Sequence, residues 1–386
     1  MSDNKRAPVA VRLGAAQYDE VIGLMNEVFT RKNGREMDFE KDLPNMCVRD
    51  DAHMRKHFGI YADGRLVAAL GVYPLPTVIG GEELLFATVG NVVTHPDYEG
   101  RGYMSVLLAR AMEEVAALGV DVARLGGLRT RYNRYGFEMA GCAYTVTFSD
   151  KHRLGHFPSR GDGVSFLPVT ASDTEPIAFC RELYNRGAIA VTRTEATAYA
   201  TMTAWRATPY VAYRDGVPIG YVAVHTDGTL AEQHAIDGER LIDVLCAWQR
   251  ESAAALTFSL PPYEQELLRV FYRACASVSA ASPSHFFVRK YEKLAGALLR
   301  VKARYTALPE GELTLGIEGY GTLRLFVTGD GCGCERTDRP ATLTLDPLSA
   351  TRYLFGPFAP HLVAEADAFA AAILPLPMGW CGQDRV

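Results

Sequence analysis

The sequence predicts a mixed fold of α/β and α+β type, arranged as three consecutive units in 386 residues. Strand-like and amphipathic helix-like runs alternate over the first half of the chain, which is typical of α/β domains. A hairpin signal, Asp-Gly between two β-type runs, occurs at Asp63-Gly64 and again at Asp215-Gly216. After Ser284 the composition changes, and glycine-broken strand patterns follow an amphipathic helix. We therefore expect units at residues 1–150, 151–284 and 285–386.

The first unit has the pattern of one α/β domain of normal size. A short β-type run comes first, and residues 18–29 then place apolar side chains at helical spacing. A second helix is predicted at 103–118, where seven apolar positions form one stripe that ends before Gly119. The predicted strands are 57–62, 65–74, 83–94, 120–125 and 143–148.

The second unit repeats this layout, with one difference that bears on function. Helices are predicted at 168–186 and 240–254, and strands at 210–214, 219–225, 230–234 and 256–260. Between His234 and Leu241 the chain reads AIDGER, with a single glycine. The third unit is predicted to be α+β, with helices at 291–302, 349–355 and 364–373 and strands within 311–327 and at 342–346.

Composition and charge exclude several classes of protein. Lys and Arg number 40 against 45 Asp and Glu, so the net charge of −5 gives no broad positive field for nucleic acid. No apolar run approaches the length of a membrane span, and the N-terminal residues lack the apolar core of a signal peptide. The eight cysteines are scattered, and the pair Cys332 and Cys334 lacks a second pair to complete a metal site. We expect a cytoplasmic protein with free thiols and no bound metal.

The clearest chemical signal is a glycine loop between a strand and a helix. Val92, Val93 and Thr94 end the strand, and the loop Glu99-Gly100-Arg101-Gly102 leads into a helix that starts at Tyr103-Met104. Unpaired N–H groups and the helix dipole make such a helix start an anion site. Glycines let a pyrophosphate approach the backbone closely. The loop fits neither the dinucleotide fingerprint nor the nucleoside-triphosphate loop.

This loop resembles the acyl-coenzyme A loop of the GNAT N-acetyltransferase superfamily, whose pattern is Arg/Gln-x-x-Gly-x-Gly/Ala. Gly102 occupies the first glycine position, whereas Glu99 and Met104 depart from the pattern. About thirty residues later, Tyr132-Asn133-Arg134-Tyr135-Gly136-Phe137 resembles the Tyr-x-x-x-Gly-Phe segment of that superfamily. The layout of the whole chain is similar to the enhanced-intracellular-survival (Eis) acetyltransferases. The resemblance implies tandem GNAT-like domains, the second degenerate, followed by a sterol-carrier-protein-like domain.

The resemblance implies that acetyl-coenzyme A is the co-substrate and that residues 92–94 and 100–104 bind it. It also implies direct attack of an amine on the thioester, with Tyr132 as the proton donor to the departing thiolate. An amine of pKa about 10.4 costs about 4.6 kcal/mol to deprotonate at pH 7, so a base is needed. Backbone N–H groups around residues 92–94 are candidates to bind the carbonyl oxygen of the tetrahedral intermediate.

Three residues are candidates for the base. In the Eis family the terminal carboxylate is implicated, which here is that of Val386, although the chain does not end in the expected aromatic residue. Asp384 is an alternative in the same tail. His95 is a third, although a histidine at a strand end is more often a simple surface residue.

Two functions remain open at this point. The first is an N-acetyltransferase whose acceptor is a small polyamine, an aminoglycoside-like compound or a protein lysine. The acidic stretch Asp38, Glu40, Asp42, Asp50 and Asp51 would suit such a cation, and a solvated charged face explains it equally well. The alternative is a non-catalytic protein that binds coenzyme A or a lipid, which the departures at Glu99 and Met104 keep open. The resemblance also implies a homo-oligomer, such as a hexamer.

Overall fold

The structure of the chain is a computed structural model that describes residues 8–149, 157 and 159–384. Within these residues the backbone forms nineteen strands, arranged in sheets of eight, four, three and four strands. The mixed α/β fold class predicted from the sequence is confirmed.

The first part of the chain contains most of the eight-stranded sheet. Its elements are β1 (Val11–Arg12), α1 (Tyr18–Asn33), α2 (Phe39–Asp42), α3 (Asp51–Met54), β2 (His57–Ala62), β3 (Arg65–Ile79), β4 (Glu82–Thr94), α4 (Tyr103–Ala117), β5 (Val122–Leu125), α5 (Arg129–Tyr132), β6 (Glu138–Ala140) and β7 (Ala143–Phe148). The middle of the predicted stripe on α4 is buried, with Leu107, Leu108, Ala111 and Val115 fully inside, whereas its last member, Leu118, is 40% exposed just beyond the helix. β3 continues beyond Pro74, where it was predicted to end. Its prolines lie past the last residue that pairs with β2, so their missing N–H groups interrupt no hydrogen bond between β2 and β3.

The middle and last parts of the chain supply the other sheets. Their elements are β8 (Val164–Pro168), α6 (Thr174–Asn185), β9 (Ile189–Val191), α7 (Glu195–Met202), β10 (Thr208–Arg214), β11 (Val217–Val224), β12 (Leu230–Ala235), α8 (Gly238–Ser252), β13 (Leu256–Leu260), α9 (Gln265–Tyr272), β14 (Ser277–Ala281), β15 (Ser284–Val288), α10 (Tyr291–Ala303), β16 (Gly311–Ile317), β17 (Gly321–Thr328), β18 (Gly331–Thr337), β19 (Leu343–Leu345), α11 (Pro347–Phe355) and α12 (Ala368–Ile373). In the described parts of the chain, no helix is both long and apolar enough to cross a bilayer.

Two strands cross the predicted boundaries between units. β7 precedes residue 150, yet it lies between β13 and β14 in the three-stranded sheet. β15 begins at the predicted boundary of the third unit, yet it lies between β5 and β6 in the eight-stranded sheet. The sheet of the first part therefore takes β15 from beyond the second part, and the three-stranded sheet of the second part takes β7 from the end of the first.

The third part of the chain shares its core with the first. Its sheet has the order β18-β17-β16-β19, and α10 packs against it. The same buried cluster contains Leu84 and Phe86 of β4 and Val122 of β5 on one side, and Leu298 of α10 and Leu325 of β17 on the other. Apolar burial thus fixes the last part of the chain against one face of the eight-stranded sheet.

Candidate active site

A cleft opens where β4 and β5 stop pairing. The two strands run parallel from Phe86 opposite Val122 to Val89 opposite Leu125. β4 continues to Thr94, whereas the chain turns directly after β5 at Gly126-Gly127. The gap between the strands lies beside the start of α4, because the loop after β4 leads into that helix.

A bulge in β4 lies at this cleft. Val93 is opposite Ala69 but Gly90 is opposite Gly71, so Asn91 and Val92 together face the single residue Leu70. Asn91 has a φ of 53°, an uncommon value for a residue other than glycine. A bulge interrupts the hydrogen-bond ladder. Of the three strand residues that the sequence indicated, Val92 is therefore the one that lies at the interruption.

A buried hydrogen-bonded chain holds the bulge. The Asn91 amide donates to the Tyr73 hydroxyl over 2.8 Å, and that hydroxyl lies 2.8 Å from Nε2 of His57. Burial lowers the pKa of His57 to about 4, so its ring is neutral at physiological pH. None of these three residues belongs to a motif, although an asparagine inside a β-rich run is unusual and was an available signal.

The start of α4 has the properties of an anion site. Gly102 precedes the first helical residue with a φ of 81°, Gly100 has a φ of 76°, and no side chain caps the helix. A Cβ placed on either glycine would meet nothing within 4 Å, so the loop faces open space. Arg101 folds back onto the loop by donating to the carbonyl of Asp97 over 3.0 Å. The N–H groups of the first turn are therefore available to a ligand.

The corresponding helix of the second part is different at its start. α8 follows β12 as α4 follows β4, but the residue before it is Asp237 rather than glycine. The Asp237 carboxylate accepts a hydrogen bond from the N–H of Arg240 over 2.7 Å. This helix start is occupied by its own negative charge, which disfavours a phosphate there.

Tyr132 lies beside the turn that follows β5. Its side chain is 5% exposed, and a Cβ on Gly127 would come within 2.8 Å of its ring. Burial raises the pKa of Tyr132, which keeps the hydroxyl protonated at neutral pH. Gly136, two residues before the buried Glu138, has a left-handed φ of 87°, and a Cβ there would come within 2.6 Å of the Phe287 ring. The Tyr-x-x-x-Gly-Phe segment is thus packed at the cleft.

His95 is a buried residue rather than the surface histidine that the sequence suggested. It is 3% exposed, its Nδ1 accepts from the N–H of Asp97 over 3.2 Å, and its Nε2 lies 3.2 Å from the Glu27 carboxylate. The edge of the Tyr98 ring packs against the imidazole. These contacts give His95 a role in shaping the glycine loop.

The C-terminal tail crosses the other face of the β4–β5 pair. The Trp380 ring lies 5.4 Å from that of Phe86 on β4 and 6.1 Å from that of Phe286 on β15. The guanidinium of Arg124, a buried residue of β5, lies 5.5 Å from the same ring. The sequence analysis identified neither Arg124 nor Trp380, because neither belongs to a readable motif.

Asp384 belongs to a buried ionic cluster. Its carboxylate lies 3.2 Å from the Arg193 guanidinium and accepts a hydrogen bond from the Tyr184 hydroxyl. Arg193 also makes a bidentate pair with Glu232 of β12 at 2.7 and 2.8 Å. Burial raises the pKa of Asp384. These partners anchor the tail, whereas Val386 lies outside the described residues.

The acidic stretch near residue 40 is engaged by partners of its own. The Tyr18 hydroxyl donates to Glu40 over 2.8 Å, and Arg206 pairs with Asp42 at 2.5 Å. The other members behave in the same way, with Asp38 bound by Lys41, Asp50 by His53 and Asp51 by the N–H of Ala15. Each carboxylate of this stretch therefore has a partner in the local fold.

The comparisons with known proteins concern one domain and the overall fold. The family model of the acetyltransferase (GNAT) domain matches residues 11–140. No curated protein matches the chain. Similar solved structures include a probable N-acyltransferase from Enterococcus faecalis V583, with 15% identity, a TM-score of 0.68 and coverage of 97% of both chains. A GCN5-related N-acetyltransferase from Anabaena variabilis has 16% identity and a TM-score of 0.67, covering 97% of this chain and 98% of the other.

Eis1 from Mycobacterium abscessus is similar to the same degree, with 16% identity and a TM-score of 0.67 over 97% of this chain and 99% of its own. At such identities the likeness concerns the fold, which extends over nearly the whole chain. The family match covers the cleft, the glycine loop and Tyr132. Residues 11–140 therefore match the acetyltransferase (GNAT) domain family.

Proposed function

We propose that this protein is an acetyl-coenzyme A-dependent N-acetyltransferase in which an amine attacks the thioester directly. The observation that carries the proposal is the uncapped start of α4 at Gly102, beside the cleft between β4 and β5. The N–H groups of residues 100–104 would hold the phosphates, and the strand segment 92–94 would lie along the acyl end. An acetyl-coenzyme A site there is also favoured by the match of this segment to the GNAT domain.

Besides the glycine loop, acetyl transfer at the cleft requires a proton donor for the thiolate and a group that stabilises the tetrahedral oxyanion. The amine nitrogen forms a bond to the acetyl carbon, the carbon–sulfur bond breaks, and the thiolate accepts a proton. Tyr132 is our candidate for the proton donor, because burial holds it in the protonated form next to Gly127. The backbone at Val92 is our candidate for the group that stabilises the tetrahedral oxyanion, since the ladder is interrupted there.

The terminal carboxylate of Val386 is our candidate for the base. The support comes from the tail, because Trp380 packs on Phe86 of β4, the strand that borders the cleft. Asp384 is less suited, since Arg193 and Tyr184 already engage its two oxygens. His95 is less suited because both ring nitrogens face partners of their own.

Release of free thiol from acetyl-coenzyme A tests this proposal. The acceptor panel contains polyamines, aminoglycosides and lysine peptides, the three classes of amine that we propose. Acceptor-dependent thiol release that is lost in Tyr132→Phe supports the assignment. Binding of acetyl-coenzyme A without any thiol release across the panel would favour a non-catalytic binding protein. The same preparation, examined by light scattering, tests the expected homo-oligomer.

A further inference from the structure

A second cleft lies between β12 and β13. These strands belong to different sheets, although they are joined in sequence by α8 just as β4 and β5 are joined by α4. A side-chain hydrogen bond bridges them, in which the Gln233 amide donates to the carbonyl of Ser259 over 2.6 Å. The second part of the chain therefore keeps the open strand pair of an acetyltransferase cleft without its glycine loop.

This second cleft contains a cavity of about 300 Å³. Its walls are the facing segments 231–235 and 259–261, the start of α8, and the tail segment 379–382. The residues around it do not include the glycine loop, residues 92–94 or Tyr132, so the cavity is separate from the proposed coenzyme site, although the tail with Trp380 and Asp384 borders it. Its volume suits a molecule of roughly ten to fifteen non-hydrogen atoms, at the small end of ligand pockets.

The charged groups on the cavity wall are acidic. The carboxylates are those of Glu232, Asp237, Glu264 and Asp384, and among the described residues no lysine or arginine lines the space. His234, which also lines it, adds no charge, because burial lowers its pKa to about 4.

Glu264 differs from the other three carboxylates. Arg193 neutralises Glu232 and Asp384 from behind the wall, and Asp237 caps α8. No cationic side chain in the described structure forms an ion pair with Glu264, and its half-buried position raises its pKa through loss of solvent. A carboxylate that faces a cavity in this way is stabilised by a ligand of opposite charge.

Aromatic rings complete the wall. Tyr184, Tyr263 and Trp380 all line the cavity. Arg193 lies over one face of the Tyr184 ring and Arg124 over one face of Trp380, so Tyr263, the neighbour of Glu264, is the ring best placed for a ligand. The faces of such rings attract an ammonium group, and this attraction is stronger where water is excluded. Phosphate groups are disfavoured by the same wall, since Asp237 already occupies the helix start that would bind them.

We propose that this cavity is a second ligand site, which binds a small organic amine as its cation through Glu264 and the surrounding aromatic rings. The site goes beyond the proposed acetyl transfer, because it lies away from the thioester and needs no reaction. It would give the protein a separate means of sensing or holding the chemical class of molecule that the first cleft is proposed to modify.

Calorimetric titration of the full chain with butane-1,4-diamine tests this site, with butane-1,4-diol as the uncharged matched probe. The matched variants are Glu264→Gln, which removes the charge in the cavity, and Glu266→Gln, which removes an exposed charge on the same helix. We expect saturable diamine binding that weakens at least tenfold in Glu264→Gln and is unchanged in Glu266→Gln. The diol should not bind.

Equal diamine binding by Glu264→Gln and the unaltered protein, equal binding of the diol, or no saturable binding would each overturn the proposal. Gly102→Asp separates this site from the acetyltransferase. If the second site exists, this variant binds the diamine in the cavity with unchanged affinity even when it no longer binds acetyl-coenzyme A. A failure of the proposed enzyme activity would leave the Glu264-dependent binding in place.

Discussion

Gly102 carries the coenzyme assignment at the scale of single residues. In Gly102→Asp a side chain and a negative charge would occupy the open space in front of the α4 N–H groups. We expect binding of acetyl-coenzyme A to weaken by at least a hundredfold, because carboxylate and pyrophosphate repel each other. Isothermal titration calorimetry measures this change.

The control for Gly102→Asp is Gly216→Asp. Gly216 also has a left-handed φ, of 77°, and open space around its Cβ position, so the backbone strain is matched at a distant turn. Gly216→Asp should bind the coenzyme normally. Unchanged affinity in Gly102→Asp would show that the phosphates do not bind at this loop.

Tyr132→Phe separates catalysis from packing. The ring stays in its place against Gly127 and only the hydroxyl is lost. If that hydroxyl protonates the thiolate, turnover falls by about 10²–10⁴-fold, whereas coenzyme affinity is nearly unchanged. Steady-state rates and coenzyme titration on one preparation measure both.

A second tyrosine serves as the control for Tyr132→Phe. The Tyr353 hydroxyl donates to the carbonyl of Glu365 in the third part of the chain. Tyr353→Phe should lose about 1 kcal/mol of stability and retain full turnover. Turnover close to that of the unaltered protein in Tyr132→Phe would exclude the proton-donor role.

His57 gives the protein a pH-dependent stability on the acid side. Its pKa is about 4 when folded and about 6.5 in the unfolded chain, so between these values the unfolded state binds the additional proton. The free energy of unfolding therefore falls by about 3 kcal/mol through this group as the pH drops from 6.5 to 4. In urea titrations at several pH values, the free energy of unfolding of His57→Gln should fall less steeply with decreasing pH than that of the unaltered protein. His234 is unaltered in both proteins. Parallel curves for the two proteins would contradict the buried neutral state of His57.

At the scale of elements, the starts of α4 and α8 explain why one coenzyme site is expected. Both helices follow a strand at an open cleft, but glycine leaves the first start uncapped and Asp237 caps the second with a carboxylate. We predict a stoichiometry of one acetyl-coenzyme A per chain in calorimetry. A stoichiometry of two would mean that α8 also accepts phosphates despite Asp237.

The anchoring of the tail is a second feature at this scale. Arg193 balances one carboxylate from β12 and one from the tail, and its side chain is 2% exposed. Arg193→Gln would leave two buried carboxylates without a cation, so we expect a loss of about 3–5 kcal/mol in the free energy of unfolding. The matched control is Arg186→Gln, whose exposed pair with Glu182 should be worth less than about 1 kcal/mol. Similar melting temperatures for the two variants would show that the cluster does not hold the tail.

At the scale of the whole molecule, the sequence predicts the longest helices and strands, whereas several elements of eight residues or fewer, among them α7, α9 and β18, were missed. The helix at 103–118 and the strand at 143–148 are confirmed within a residue or two, since long or strictly alternating apolar patterns are informative. β6, β9 and β14 were missed, because three to five residues are too few to show a period. Their pairing partners lie far away in sequence.

The residues of the candidate site likewise divide into those that belong to local motifs and those that do not. The glycine loop and Tyr132 belong to local motifs, so they could be identified from the sequence alone. Trp380 and Arg193 could not, because the Phe86 ring that Trp380 packs on and the carboxylates that Arg193 pairs with lie more than thirty positions away. Tertiary packing, rather than any local pattern, brings the tail to the β4–β5 face.

The crossed positions of β7 and β15 have a consequence for how the protein is made. The eight-stranded sheet lacks an inner strand until Val288 has been synthesised, and the three-stranded sheet takes its central strand from residues made before 150. When only the first 150 residues have left the ribosome, the eight-stranded sheet lacks β15 between β5 and β6, and β7 has neither of its neighbours. Assembly of the first two parts is therefore tied to a late stage of translation, and proteolytic separation near residue 150 would divide each sheet from one of its own strands.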